Sequence, residues 1–197
     1  MNIFYLDRHP KRCAEMHNDK HTIKMILEYA QLLSTAHRIL DGVETVEQKY
    51  VDGSLPARWR NVKRWKLPDN RDNLLYSATH VNHPSAVWVR QSMGNFTWLS
   101  ILLDCLCKEY TYRYGKVHKC ERDGLVNYFI QTVPDNIPLG GFTEPTPAMP
   151  EDCIVPSDSI SSYKNYYNLN KTHLASWSGK VNPRNQPSWF TPNVRYK

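Results

Sequence analysis

The sequence lacks the features that mark several large protein classes. No stretch approaches the about 18 consecutive apolar residues that a membrane-spanning helix needs, so no membrane partner is expected. The opening segment, MNIFYLDRHPKR, lacks the basic-then-apolar layout of a secretory signal. Five cysteines, Cys13, Cys105, Cys107, Cys120 and Cys153, are odd in number and never fall in a C-x-x-C spacing. A disulfide framework is therefore not expected, and a reducing, cytoplasmic compartment fits better. No G-x-S-x-G elbow, Walker-type loop or dinucleotide-binding glycine pattern occurs, and Leu139-Gly140-Gly141-Phe142 reads as a loop corner. No cofactor is expected. Internal repeats are absent and strand patterning is sparse.

What is present reads as globular. The chain has 197 residues, 41% hydrophobic and 22% charged, enough for one domain with a real core. A monomer is the expected state. The net charge of +6 is unevenly spread. From Ser159 to the end there is no acidic residue, but Lys164, Lys171, Lys180, Arg184, Arg195 and Lys197 are basic. The same segment carries Tyr163, Tyr166, Tyr167, Trp177, Trp189, Phe190 and Tyr196. Cations interleaved with rings suit a polyanion that carries flat bases. They equally suit a tail whose aromatics pack back on the core.

Helical signals dominate. After an extended start ended by Pro10, periodicity begins near Lys11, and Asn18-Asp19 breaks or recaps it. No Gly or Pro interrupts Lys20 to Leu40, and Asp41-Gly42 stops this helix. His83-Pro84 opens a second long helix expected to end at Gly115, with a third at 119–132 and a short one near 159–177. Residues 43–80 read as basic and irregular. Within them ARWRNVKRWK sets Trp59 and Trp65 among five cations and is expected as a loop or short helix. Six prolines make 133–160 a loop. The expected fold is mainly α: a single-domain helical bundle with long irregular loops. A helical core spans 1–158, and a basic aromatic segment over 159–197 packs on or near the site.

Placed on one helix, His17, His21, Lys24, Glu28 and Gln31 form a continuous polar line at spacings of 4, 3, 4 and 3. It is either the solvated strip of a packed helix, with Lys24–Glu28 an ordinary i,i+4 pair, or the floor of a cleft. Two imidazoles, an amine, a carboxylate and an amide are groups for proton transfer and recognition. A zinc site from Cys13, His17, His21 and His83 is a further alternative, although compact Cys/His signatures are missing.

Three blocks, in order, carry a family resemblance. Asp19-Lys20-His21 followed by Leu27-Glu28-Tyr29-Ala30-Gln31 resembles the first helix of the pyrimidine-dimer DNA glycosylases of the endonuclease V type. Asn82-His83-Pro84 before a helix ending in Arg113-Tyr114-Gly115, and the terminal Gln186-Pro187-Ser188-Trp189-Phe190, are similar to later blocks of that family. The chain is also similar to phage proteins that share these blocks, which would make the compartment the host cytoplasm. The resemblance implies a helical base-excision enzyme that attacks the sugar C1′ with its N-terminal amine, forms an imine, and cuts the abasic strand.

On that resemblance Glu28 stabilises charge and moves the proton, and His21 borders the pocket. The amine belongs to Met1, or to Asn2 if Met1 is removed. Lys24, one turn from Glu28, is the alternative imine-former. His17, Asp19, Gln31, His83, Arg90, Arg113 and Trp189 are the expected substrate-binding residues. Asn2 stands where the family has Thr, and Leu27 and Gln31 stand where it has arginines, which points to a different base or reaction. The expected function is therefore a DNA glycosylase, with abasic-site lyase activity as its second step. The alternatives are a non-catalytic nucleic-acid-binding protein, or a metal-dependent hydrolase built on His17, His21 and His83.

Overall fold

The computed structural model describes residues 1–51 and 58–196. Among them lie eight helices and one two-stranded sheet, a mainly helical architecture. The chain starts as an extended segment, Ile3–Leu6, that runs through the core fully or nearly fully buried. Helix α1 (Pro10–Met16) starts with proline at its first position, where the missing N–H costs nothing. Helix α2 (Asp19–Asp41) is recapped by Asn18, whose side chain accepts from His21 N–H at 2.8 Å.

The segment after α2 corrects the expectation of a loop or short helix. β1 (Val43–Val51) and β2 (Arg58–Lys66) form an antiparallel hairpin, with Val43 opposite Lys66 and Tyr50 opposite Trp59. Residues 52–57, including Gly53 and Pro56, lie outside the described residues. Gly42 permits the exit from α2, because a Cβ there would collide with the Arg38 carbonyl oxygen. Arg38 anchors the hairpin's base, donating to Trp65 O at 2.8 Å and to Asp72 Oδ1 at 2.6 Å. A one-turn helix, α3 (Arg71–Leu74), follows.

The second long helix is two helices, α4 (Pro84–Val89) and α5 (Met93–Tyr114). Ser92 breaks the run: its side chain accepts from Asn95 N–H at 3.2 Å as a new N-cap and donates to Gly141 O at 2.9 Å. The loop around Gly140–Thr143 lies directly on this junction, with Gly94 N–H donating to Gly140 O at 3.0 Å and Thr143 N–H to Asn95 Oδ1 at 2.8 Å. Gly115, with a φ of 62°, ends α5 in the left-handed conformation that glycine adopts without steric cost. The third helix is also divided, into α6 (Lys119–Arg122) and α7 (Leu125–Gln131), at Gly124. The last helix is α8 (Ser159–Asn170).

One core joins these elements. Residues from Ser159 onward contribute Tyr163, Tyr167, Trp177, Trp189 and Phe190 to the same buried cluster as the N-terminal segment, α2 and α5. Among the described residues no helix is long and apolar enough to cross a membrane.

Candidate functional site

The buried N-terminal segment is held from two sides. Phe4 N–H donates to the Tyr29 hydroxyl on α2 at 3.2 Å, and Cys13 Sγ on α1 donates to Phe4 O at 3.1 Å. This threading brings the Met1 amine to 4.0 Å from Glu28 Oε2, at the outer limit of an ion pair. The other carboxylate oxygen lies 3.1 Å from Lys24 Nζ. The Glu28 side chain is 15% exposed, and that of Lys24 is 71% exposed. Glu28 is thus reachable, half-sheltered and flanked by two amines.

His83 completes this corner. It caps α4, its Nδ1 accepting from Ser85 N–H at 3.2 Å. Burial lowers its pKa, the Met1 ammonium and His80 lower it further, and Glu28 opposes them. His80, in a left-handed backbone with φ of 49°, is a neighbour that no periodicity signalled. Arg90 braces the same turn, donating to Val81 O at 2.7 Å and Ala86 O at 3.1 Å. Its Nη1 is therefore committed to the backbone on either side of His83. Asn2 and Gln31 are both partly exposed.

His21 sits one turn before Lys24 and is almost wholly buried. Its ring stacks on Phe4 at 4.1 Å, and its Nδ1 lies 2.6 Å from the Tyr167 hydroxyl. Burial is the main reason its pKa falls to about 2, with His17, Lys171 and Lys24 adding positive neighbours. A neutral ring held this way packs the N-terminal segment against α8 and does not deliver a proton near neutral pH. Phe4 and Tyr167 are packing partners of His21 that no local pattern pointed to, being separated from it by 17 and 146 residues.

Four expected substrate-binding residues are corrected to structural roles. His17 is not on the α2 line at all: it is the extended C-cap of α1, with φ of −60° and ψ of 137°. It is fully buried, its Nδ1–H donating to Cys13 O at 2.7 Å and its Nε2 accepting from Tyr29 at 3.0 Å. Arg113 is fully buried, donating to Glu109, Asp19 and the carbonyls of His17 and Glu15. Asp19 in turn accepts from Arg113, Ser176, Ser178 and Gly179. Trp189 is buried against Tyr167 and Met16.

The C-terminal aromatics resolve the same way, because most are core. The basic residues there are partly engaged as well: Arg184 pairs with Glu109 at 2.8 Å, and Lys164 and Lys171 lie over aromatic rings.

The zinc alternative fails on geometry. Cys13, His17, His21 and His83 each bond a different protein partner. Among the described residues no group of three His, Cys, Asp or Glu converges as a metal site. Lys24 is likewise too exposed to be the desolvated imine-former that its position suggested. Five surface grooves, among them one of about 300 Å³ lined by Arg38, Arg64, Trp65 and Asp72, do not include Met1 or Glu28.

Comparison of the chain with family models, curated proteins and solved structures gives no match.

Proposed function

We propose that this protein is a base-excision enzyme acting on DNA, with Met1 and Glu28 as its reacting groups. One observation carries the reading: an extended segment with its side chains in the core leads the Met1 amine to a half-sheltered carboxylate, 4.0 Å away. A buried N-terminal segment ending at an acid is costly to build for a surface ion pair alone, which is worth at most about 1 kcal/mol.

The chemistry needs both groups. A neutral amine attacks the sugar C1′; the C1′–N bond to the base breaks and the base leaves with the bonding pair. The amine nitrogen then loses a proton and its lone pair expels O4′: the C1′–O4′ bond breaks, the ring opens, O4′ takes a proton, and C1′ is left as a protonated imine. Glu28 first stabilises the positive sugar, which a carboxylate does best in a partly dry setting. It can then accept the C2′ proton as the 3′ phosphate departs, the elimination that makes a lyase. His83 lies beside both groups, and the buried His21–Tyr167 pair would hold the N-terminal segment in place rather than react.

The test is borohydride reduction on duplex DNA with one abasic site, which turns an imine into a stable protein–DNA adduct. Wild type should trap. Glu28→Gln keeps size and hydrogen bonding but removes the charge, and should slow strand cleavage by at least ~10²-fold. A one-residue N-terminal extension, checked by intact mass, should abolish trapping. Full cleavage by Glu28→Gln would sink the reading, and so would trapping that survives the extension.

A further inference from the structure

We propose that the β1–β2 hairpin is a ribbon that enters the major groove of duplex DNA, and that it binds independently of Met1 and Glu28. The inference rests on the nucleic-acid reading only in taking the same polymer as ligand.

A two-stranded hairpin has little stability of its own in water. Most hairpins survive by laying one face on a core. This one does not: its anchoring contacts with the body lie at its base, through Arg38 and Gly42. Side chains from Val43 to Tyr50 are exposed or only half-covered, and so are those from Trp59 to Lys66. Both faces therefore project into solvent over residues 43–50 and 59–66, on strands of nine residues or about 30 Å.

The register sorts the residues by face, because directly opposed residues share one. One face pairs Lys49 with Arg60, Thr45 with Arg64 and Val43 with Lys66. The other pairs Tyr50 with Trp59, and carries Val46, Lys63 and Trp65. Tyr50 and Trp59 meet edge to face at 5.4 Å, yet remain 49% and 65% exposed. The other five tryptophans are buried or half-buried, so leaving this ring in water is a departure from the rest of the molecule.

Charge identifies the occupant. The two strands hold six basic residues against Glu44 and Glu47, a net charge of +4. The body with the C-terminal segment removed is neutral, and part of that segment's charge is spent internally on Glu109 and Asp152. Within the hairpin Lys63 pairs with Glu44, and Arg64 and Lys66 with Glu47, so its cationic excess lies toward Lys49 and Arg60 in the far half. Charges placed only to keep sheet edges from pairing would work with either sign; here one sign dominates three to one. Two strands about 4.8 Å apart, with side chains, match a major groove about 12 Å wide, which admits a two-stranded ribbon. In that seat the cationic face meets phosphates, and Tyr50 and Trp59 meet base edges and thymine methyls.

The experiment uses the full chain and an undamaged 20-base-pair duplex, with no abasic site. Binding is followed by tryptophan emission and by protection of guanine N7 from dimethyl sulfate. Lys49→Ala/Arg60→Ala should weaken binding about 10-fold or more and reduce the log–log salt slope by about 1.8, two phosphate contacts' worth. Trp59→Ala should remove the fluorescence change and the N7 protection. All these side chains are exposed, so circular dichroism should stay at wild type. Unchanged affinity and slope in the double variant would overturn the proposal. So would equal or tighter binding to the separated single strands or to phosphatidylserine vesicles, or competition by a minor-groove ligand without N7 protection. Hairpin-dependent duplex binding by a protein that traps no imine would sustain this proposal and defeat the base-excision reading. Trapping with hairpin variants that bind normally would do the reverse.

Discussion

Replacing Arg113 by Met separates a structural arginine from a substrate-gripping one. The guanidinium is fully buried and donates to Glu109 Oε1 at 2.6 Å, Asp19 Oδ1 at 3.1 Å, and the carbonyls of His17 and Glu15, each at 2.9 Å. Met fills similar volume but supplies no donor. Glu109 keeps Arg184 at 2.8 Å, and Asp19 keeps Ser176 at 2.6 Å. Two backbone carbonyls at the α1–α2 junction are left without that donor, and two carboxylates lose their central cation. Breaking a buried pair by removing one partner costs about 3–5 kcal/mol. With an unfolding entropy of about 2.1 cal/mol/K per residue, a chain of this size changes by about 0.4 kcal/mol per degree, so Tm should fall by roughly 7–12 °C. Thermal unfolding at pH 7.5, followed at 222 nm, measures this. At 10 °C, where the variant is still folded, its affinity for the undamaged duplex should match wild type within about twofold. A Tm loss under 3 °C, or a selective loss of DNA affinity without a Tm loss, would refute the structural assignment and return Arg113 to the substrate.

Two further outcomes follow from buried groups. His17 and His37 are buried, and burial lowers both pKa values from 6.5 to about 4. The unfolded chain therefore binds protons that the native state refuses, and stability is full above pH 6.5 and lost as pH falls toward 4. Each contributes about 3 kcal/mol of that loss, so the urea midpoint should drop steeply between pH 6.5 and 4.5. A flat midpoint over that window would contradict the burial. Gly94→Ala would drive its Cβ into the backbone of Gly141 and Phe142, whereas a Cβ on Gly141 meets nothing within 4 Å. Gly94→Ala should therefore cost at least about 2 kcal/mol and Gly141→Ala under about 0.5; equal melting temperatures for the two would show that the 140–143 loop does not seat on α5.

Local chemistry alone set the helices that the sequence announced. Pro10, Asn18, Pro84 and Gly115 act within one turn of themselves, through a missing N–H, a side-chain cap or a left-handed backbone. Such signals need no distant partner, so α1, α2 and the end of α5 were legible. The polar line failed at one point for an equally local reason. Its spacing ran through Asn18, which ends one helix and begins another, so His17 turns into the core while His21, Lys24 and Glu28 stay in register on α2. The Ser92 break in the second long helix was hidden because its reason lies 49 residues away, at Gly141.

The hairpin gave no alternating apolar pattern because neither of its faces is buried, and alternation is the imprint of a half-buried sheet. The fate of the C-terminal rings was beyond sequence for another reason. Basic and aromatic residues in that order fit an open arm or a packed one, and only the meeting of Arg184 with Glu109, and of Tyr167 with His21, chose the packed one. The approach of Met1 to Glu28 belongs to the same class. Its ingredients are a carboxylate on one helix and the start of the chain, but the 4.0 Å between them depends on Phe4, Cys13 and Tyr29 fixing a strand through the core. Composition and capping therefore decided which segments are helical. Long-range burial decided which polar groups became structure and which were left reachable, because burial is a property of how segments meet.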